Sequence, residues 1–375
     1  MFSFPQRRSL NTPTGKQEKT LSHQLKLTAL ALTACVSLNV TAEPLKVAFM
    51  HENPVGEGGW TLSHENARKA LEEHFGDAIE TTALDSVAPG QDAERTLTRL
   101  ARDGNDLIFA TSFGFMNAAQ RISRRFPKTK FEHASGYLIG KNVGTYQVRA
   151  YQGRYLSGVA AGMLTESNRI GYVAPFPIPE VVRGINAFTL GLKSVNEDAI
   201  VDVIWISSWS DAPRARETAD LLIAKGADVI THHTETSAAI RAADIAGVWS
   251  IGYQSDRSQA APNHHLVSVV HNWIPIYIRK VDAMITGTWE AASEWVGIEE
   301  DATKLVGWGD EVPAEVIEAV EATRQQMLAG ELVVFEGPIS DNEGNIGIAT
   351  GQIPTVEELL RMEWFVDGVA GSIPK

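Results

Sequence analysis

Short, near-continuous apolar runs recur along the chain, each followed by a stretch with helical spacing. "LKVAFM" at 45–50 precedes a helix around 61–75, "IETTAL" at 79–84 a helix around 91–103, and "DLIFAT" at 106–111 a helix around 114–125. "KFEHAS" at 130–135 and "VGTYQV" at 143–148 follow. The pattern then restarts with a helix over 151–164, "RIGYVAP" at 169–175 and a helix after Pro179. "VDVIWIS" at 201–207 leads to a helix around 212–225, and "DVITHHT" at 228–234 to one around 236–246. "SIGYQS" at 250–255 and "HLVSVVHN" at 265–272 close the second unit. Runs that are apolar throughout, rather than alternating, suit parallel strands covered on both faces. Strand and helix in turn predict an α/β fold of two lobes with parallel sheets. No low-complexity linker separates the units, which favours lobes joined by crossing strands over separate beads. The first lobe is expected over 43–148 plus 273–345, the second over 149–272 with the C-terminal tail. Within 273–345, a helix in "WIPIYIRKVDAMITGTW" carries Pro275 in its first turn, where proline is tolerated. A second helix over 313–329 and a hairpin turning at Asn342-Glu343-Gly344 follow.

The first 42 residues break this pattern. Arg7, Arg8, Lys16, Lys19 and Lys26 precede the apolar run "LTALALTACVSL" and the small-residue exit Val40-Thr41-Ala42. That order predicts a signal peptide over 1–42, with an apolar run too short to span a bilayer. Leu32-Thr33-Ala34-Cys35 also resembles a bacterial lipobox, which would anchor the protein through Cys35. Its tether to the first strand would be short, so cleavage after Ala42 and a free periplasmic protein are the favoured expectation. Cleavage there removes the single cysteine and with it any disulfide or thiol chemistry.

Charge narrows the partners. The chain is formally −13, and the leader holds five Lys/Arg against one Glu, so removing its +4 takes the remainder to −17. Such a protein repels nucleic acid and anionic lipid, and no nucleic-acid partner is expected. A polyanionic ligand would need a pocket that reverses the field.

In open α/β sheets ligands sit beyond the carboxyl ends of the strands. There the first unit places Glu57-Gly58-Gly59-Trp60-Thr61 and Ser112-Phe113-Gly114. The second places Phe176, Ser208-Trp209-Ser210-Asp211, His233, Asp256, His271 and Asn272. This edge is rich in aromatics, amides and hydroxyls and poor in lysine and arginine. Trp60 and Trp209 hold comparable places in the two units, so two flat apolar walls could sandwich one planar ligand. The glycines let the backbone approach it. Each element also has a plain structural use: either tryptophan as core packing, Glu57 beside a helix N-terminus, Asp211 or Asp256 as a cap. The adjacent pairs His232-His233 and His264-His265 would point apart on a strand, and neither metal nor cofactor is expected. "GEGGW" lacks the G-x-G-x-x-G spacing of a dinucleotide loop. Neither G-x-S-x-G nor H-E-x-x-H occurs, so the chain is not expected to be an enzyme.

Several segments together resemble one family. They are "EPLKVAF", "PVGEGGWTLSHENAR", "LARDGNDLIFATSFGF", "YQGRYLSGVAAGML", "IGYVAPFPIPEVVRGINAF", "WISSWSDAPRARETADLLIAKGADVI" and "SIGYQSD". In kind and order they are similar to the basic membrane protein (BMP, or Med-like) group of ABC transporter substrate-binding proteins. The resemblance implies two Rossmann-like lobes joined by a hinge, the type I periplasmic-binding-protein fold. It also implies a base held between aromatic rings, one from each lobe. The family's first loop commonly reads Asp-x-Ser-Phe-Asn, and here Trp60 takes the stacking place with Glu57 and Thr61 beside it. Trp209 takes the place of the second aromatic.

Members of that family characteristically bind purine nucleosides, and two departures bear on this. Relatives carry Gly-Val-Asp, whose Asp holds ribose hydroxyls, where this chain has Gly252-Tyr253-Gln254. They carry a lysine where this chain has His271. A neutral amide is a poorer partner than a carboxylate for two hydroxyls. The expected ligand is therefore a free purine base, adenine first, with Gln254, His233 or Asn272 on its polar edges. The expected contact set is Glu57, Trp60, Thr61, Phe113, Phe176, Trp209, His233, Gln254, Asp256, His271 and Asn272. The expected partner is a membrane ABC permease, and the receptor is expected to be a monomer. A nucleoside receptor of the same family and a ligand-sensing subunit for a membrane kinase are the competing readings. A secreted nucleoside hydrolase using Glu57 or Asp256 is a third.

Overall fold

The computed structural model describes residues 43–374. The expected signal peptide and Cys35 lie outside the described residues. The first strands, β1 (Leu45–Met50), β2 (Ile79–Leu84), β3 (Leu107–Ala110), β4 (Lys130–Ala134) and β5 (Val143–Val148), alternate with helices α1 (Trp60–Phe75), α2 (Gln91–Arg102) and α3 (Met116–Ser123). The chain then crosses at Arg149 into a second lobe. This holds α4 (Ala150–Leu164), β6 (Arg169–Ala174), α5 (Pro179–Lys193), β7 (Ile200–Trp205), α6 (Ala212–Ala224), β8 (Val229–His232), α7 (Ala238–Ala246), β9 (Trp249–Gln254) and β10 (His265–His271). It crosses back at Asn272-Trp273 to α8 (Ile274–Ile285) and β11 (Ser293–Val296). A third crossing over 297–302 leads to β12 (Thr303–Val306) and α9 (Ala314–Leu328). The hairpin β13 (Ile339–Ser340) and β14 (Ile346–Ile348), then α10 (Val356–Leu360) and β15 (Val369–Ala370), end the chain.

Two sheets result. The first runs β11-β5-β4-β3-β1-β2 and is parallel throughout. The second runs β12-β10-β9-β8-β6-β7-β15, parallel except where β12 meets β10. Strands such as β3 and β5 are buried along their whole length, as the unbroken apolar runs require. Helices cover both faces through apolar stripes: α2 buries Ala93, Leu97, Leu100 and Ala101, a spacing that keeps one side of a helix on the sheet. On the other face of the first sheet Phe49 stacks on Phe109 at 4.8 Å, and Tyr277 of α8 tilts over both.

One boundary differs from the sequence expectation. The region 297–345 was expected in the first lobe, but β12 pairs with β10, and α9 and the hairpin bury Val316, Val320, Met327, Phe335 and Ile339 in the core of the second. The short strand "TKLV" carries little apolar signal, and its place is set by pairing with the β10 edge. Only α8 and β11 return to the first lobe.

That returning piece is fastened by a buried charge. Glu132 of β4 is fully buried, with Lys280 Nζ of α8 at 3.1 Å and the Trp289 indole N–H donating to it at 2.8 Å. Lys280 also reaches Glu294 of β11 at 3.3 Å. Burial outweighs these partners and pushes the Glu132 carboxyl up from 4.5 to about 7. Its proton is therefore held more tightly in the folded state. The stabilisation this gives is complete below the unfolded value of 4.5 and is lost as pH rises through about 7. Glu132→Gln should flatten the pH dependence of unfolding free energy between about pH 5 and 7, by on the order of 2 kcal/mol, in urea titrations at each pH.

Candidate ligand-binding site

A narrow pocket lies between the lobes, beyond the carboxyl ends of both sheets, where open α/β sheets bind their ligands. The first lobe lines it with Glu52, Asn53, Trp60, Thr61, Ser112, Phe113 and Ser135. The second contributes Ile178, Glu180, Trp209, His233, Glu235 and Gln254.

Trp60 opens α1, and its placement is fixed by its neighbours. Its indole N–H donates to the Thr111 carbonyl. Its ring meets His64 at 4.8 Å, Trp273 at 5.1 Å and His271 at 5.7 Å, all edge-on, a favoured aromatic geometry. Burial keeps both imidazoles neutral: His64 titrates well below the usual range, and His271 is pushed down to about 3. Thr61 is buried, and its backbone N–H donates to Glu235 Oε2 at 3.3 Å across the cleft.

In the second lobe Trp209 follows β7. Its ring meets Phe176 at 5.3 Å and His233 at 6.4 Å. His233 is held neutral, by burial first and then by Arg154, and its Nδ1 has no partner among the described residues. Its ring packs on Tyr253 at 4.4 Å, and the Arg154 guanidinium covers that tyrosine at 3.4 Å. Gln254 ends β9 at φ 68, is buried, and its Oε1 is also unpartnered. A non-glycine residue at positive φ is costly, and such strain collects at binding sites.

Thus Trp60, Thr61, Phe113, Trp209, His233 and Gln254 of the expected set stand on the cavity. The other five stand elsewhere. Phe176 backs Trp209. His271 lies beneath Trp60. Asn272, at the second crossing, donates to the Asp301 carbonyl and accepts from Ile274 N–H. Asp256 accepts from Ser258 N–H at 2.9 Å. Glu57 is exposed and pairs with Arg241 of the other lobe at 2.5 Å, which lowers its carboxyl. Of the adjacent histidines, His232 Nδ1 contacts Thr234 while His233 lines the cavity, and His265 Nε2 contacts Ser268 while His264 faces Asp244. Among the described residues no cluster of three or more His, Cys, Asp or Glu could hold a metal.

The polar wall was missed by sequence reasoning. Glu52, Asn53, Ser135, Glu180 and Glu235 line the cavity, beside Ser112 at the strand mouth already singled out and the apolar Ile178. Glu180 looks like an ordinary acid in a first helical turn. Counting one to three residues past each strand end would have found Glu52, Ser135 and Glu235. Burial raises the carboxyls of Glu52, Glu180 and Glu235.

These same residues close the lobes on each other. Asn53 Nδ2 donates to Glu235 Oε1 at 2.8 Å, Gly59 N–H to Ser255 Oγ at 2.8 Å, and Ser135 Oγ to Glu180. The Gly58-Gly59 backbone lies on Arg257, whose guanidinium donates to Ser237 Oγ and the Glu235 carbonyl. A Cβ on Gly59 would sit 2.9 Å from Glu235 Cα, and its φ of 96 also favours glycine.

Two lobes, three crossings and a pocket across the cleft define a receptor of the type I periplasmic-binding-protein class, one that closes around a small molecule. Residues 45–340 match the family model described as ABC transporter substrate-binding protein PnrA-like, and the chain belongs to that family. It is 42% identical over 333 residues to a purine-binding protein of Brucella abortus, covering 89% of this chain and 95% of the relative. It is 40% identical over 334 residues to a putative ABC transporter glucose-binding protein of Haloferax volcanii, covering 88% and 82%. An ABC transporter solute-binding protein from Aeropyrum pernix shares the fold, with a TM-score of 0.67 at 16% identity, covering 84% of this chain and 97% of that one. The protein is thus a substrate-binding component of an ABC transporter, in a family of binding proteins rather than enzymes, with a small-molecule ligand and a permease partner.

Gly59→Ala should prop the lobes apart. Small-angle scattering should show a larger radius of gyration than for the native protein, with a stability cost of about 1–2 kcal/mol in urea unfolding.

Proposed function

We propose that the protein captures a purine in the periplasm, as the free base and with adenine as the first candidate, and delivers it to its permease. The carrying observation is that Trp60 and Trp209, one from each lobe, line one pocket beside the polar groups of both. Closure over a planar heterocycle removes both of its faces from water, and base–aromatic stacking contributes about 1–3 kcal/mol per base. The name of the 42%-identical relative supports a purine. The base is favoured over the nucleoside because His271, at the position of the family's lysine, spends its ring on Trp60, Tyr253 and Trp273 and stays neutral. Gln254 offers an uncharged amide where relatives offer a carboxylate. An amide suits a purine edge that presents a donor beside an acceptor.

Calorimetric titration with adenine and adenosine tests this. Adenine should bind more tightly than adenosine, and Trp60→Ala should weaken it by about 5- to 150-fold. Tighter adenosine binding would return the protein to the nucleoside role of its family. Two tryptophans beside carboxylates would also suit a hexose, and glucose is named for the Haloferax relative. Saturable glucose binding with none for adenine would make a sugar the ligand.

A further inference from the structure

The cavity wall carries three carboxylates, Glu52, Glu180 and Glu235, and no lysine or arginine. The nearest cations are turned to other partners. Arg154 donates to Thr231 Oγ1 and the His232 carbonyl, Arg183 to the Leu359 carbonyl, and Arg257 to Ser237 Oγ and the Glu235 carbonyl. The carboxylates are held by uncharged donors instead. Ser112 Oγ donates to Glu52 Oε2 and Ser135 Oγ to Glu180 Oε2. The Asn53 amide and Thr61 N–H donate to Glu235.

This arrangement commits the tryptophan, serine and asparagine donors and leaves carboxylate acceptors free, with the Gln254 amide and the His233 ring as the uncommitted polar groups. The Trp60 indole N–H is committed to the Thr111 carbonyl, and the two serine hydroxyls to carboxylates. Oε1 of Glu52 and Oε1 of Glu180 have no hydrogen-bond partner among the described residues, and Gln254 Oε1 is buried and unpartnered. Such a wall is satisfied by a ligand that brings N–H groups. Buried acceptors left without a donor cost affinity.

We propose that Glu52 and Glu180, with Glu235 behind them, select purines bearing an exocyclic amino group and no charge, and reject oxopurines and anionic purines. The inference rests on the purine reading above. An exocyclic amino group donates to the free carboxylate oxygens. An oxo group in its place sets lone pairs against them, and xanthine, which readily loses a proton, adds a negative charge. Repulsion of the wrong ligand then supplies as much of the specificity as attraction of the right one. Burial already raises all three carboxyls, so a further negative charge has no cation on the wall to meet it.

The test is calorimetric titration of the protein at neutral pH with adenine, hypoxanthine and xanthine, each alone. Adenine should bind about tenfold more tightly than hypoxanthine and about 100-fold more tightly than xanthine. Glu52→Gln and Glu180→Gln replace a pure acceptor by an amide that can turn its N–H to an oxo group. At least one of them should narrow the adenine-to-hypoxanthine ratio by about fivefold or more, with adenine still bound. Hypoxanthine or xanthine binding as tightly as adenine, or a ratio unmoved in both variants, overturns the selectivity and leaves the purine reading standing. Failure of every purine to bind the native protein overturns both.

Discussion

Burial of Trp273 at the second crossing is the contact on which the site depends. Its indole is almost wholly enclosed, lies face to face with His64 at 4.3 Å, and donates to Ser63 Oγ at 2.9 Å. Ser63 and His64 lie within one turn of Trp60 on α1, and the edge of Trp60 meets Trp273 directly. The crossing strand, the helix after the glycine loop and the cavity's indole are therefore one packed unit. Large aromatic side chains carry much of the energy of such a unit, and they leave little freedom to shift.

The cavity joins two kinds of surface that rarely coexist cheaply. Its flat walls are apolar, while its rim is acidic and lacks a paired cation. Burying a carboxylate without a counter-charge is unfavourable unless several hydrogen bonds meet it. Here serine, asparagine and backbone donors meet it, and most of them come from the opposite lobe. The same hydrogen bonds hold the lobes together and set which oxygens of the wall stay free.

Much of the architecture was legible in sequence. Apolar runs without alternation marked the parallel strands, and the glycine loop before Trp60 marked the first strand mouth. The third crossing was not legible, because "TKLV" is weakly apolar and is placed by an edge it pairs with far away in sequence. At the site, the aromatic residues stood out because few side chains can offer a flat face. The carboxylates did not, because a glutamate near a helix start is ordinary on a chain this acidic. Only tertiary packing brings Glu235 under Asn53 and Thr61. Residues such as Asp256 and Asn272 sit at comparable strand ends, yet their side chains are spent on backbone groups, of the next turn for Asp256 and of the neighbouring crossing and Ile274 for Asn272.

The three crossings are themselves stitched together. Arg149 N–H donates to the Val296 carbonyl, Asn272 N–H to the Ala302 carbonyl, and Ile298 N–H to Gln152 Oε1. Three cross-bonded ribbons resist shear and independent twisting far more than a single thread does. Relative motion of the lobes is thereby confined to something near one degree of freedom, like a door on aligned pins. A permease that touched both lobes would then read a single variable, the angle of the cleft, and could tell a loaded receptor from an empty one by shape without touching its cargo.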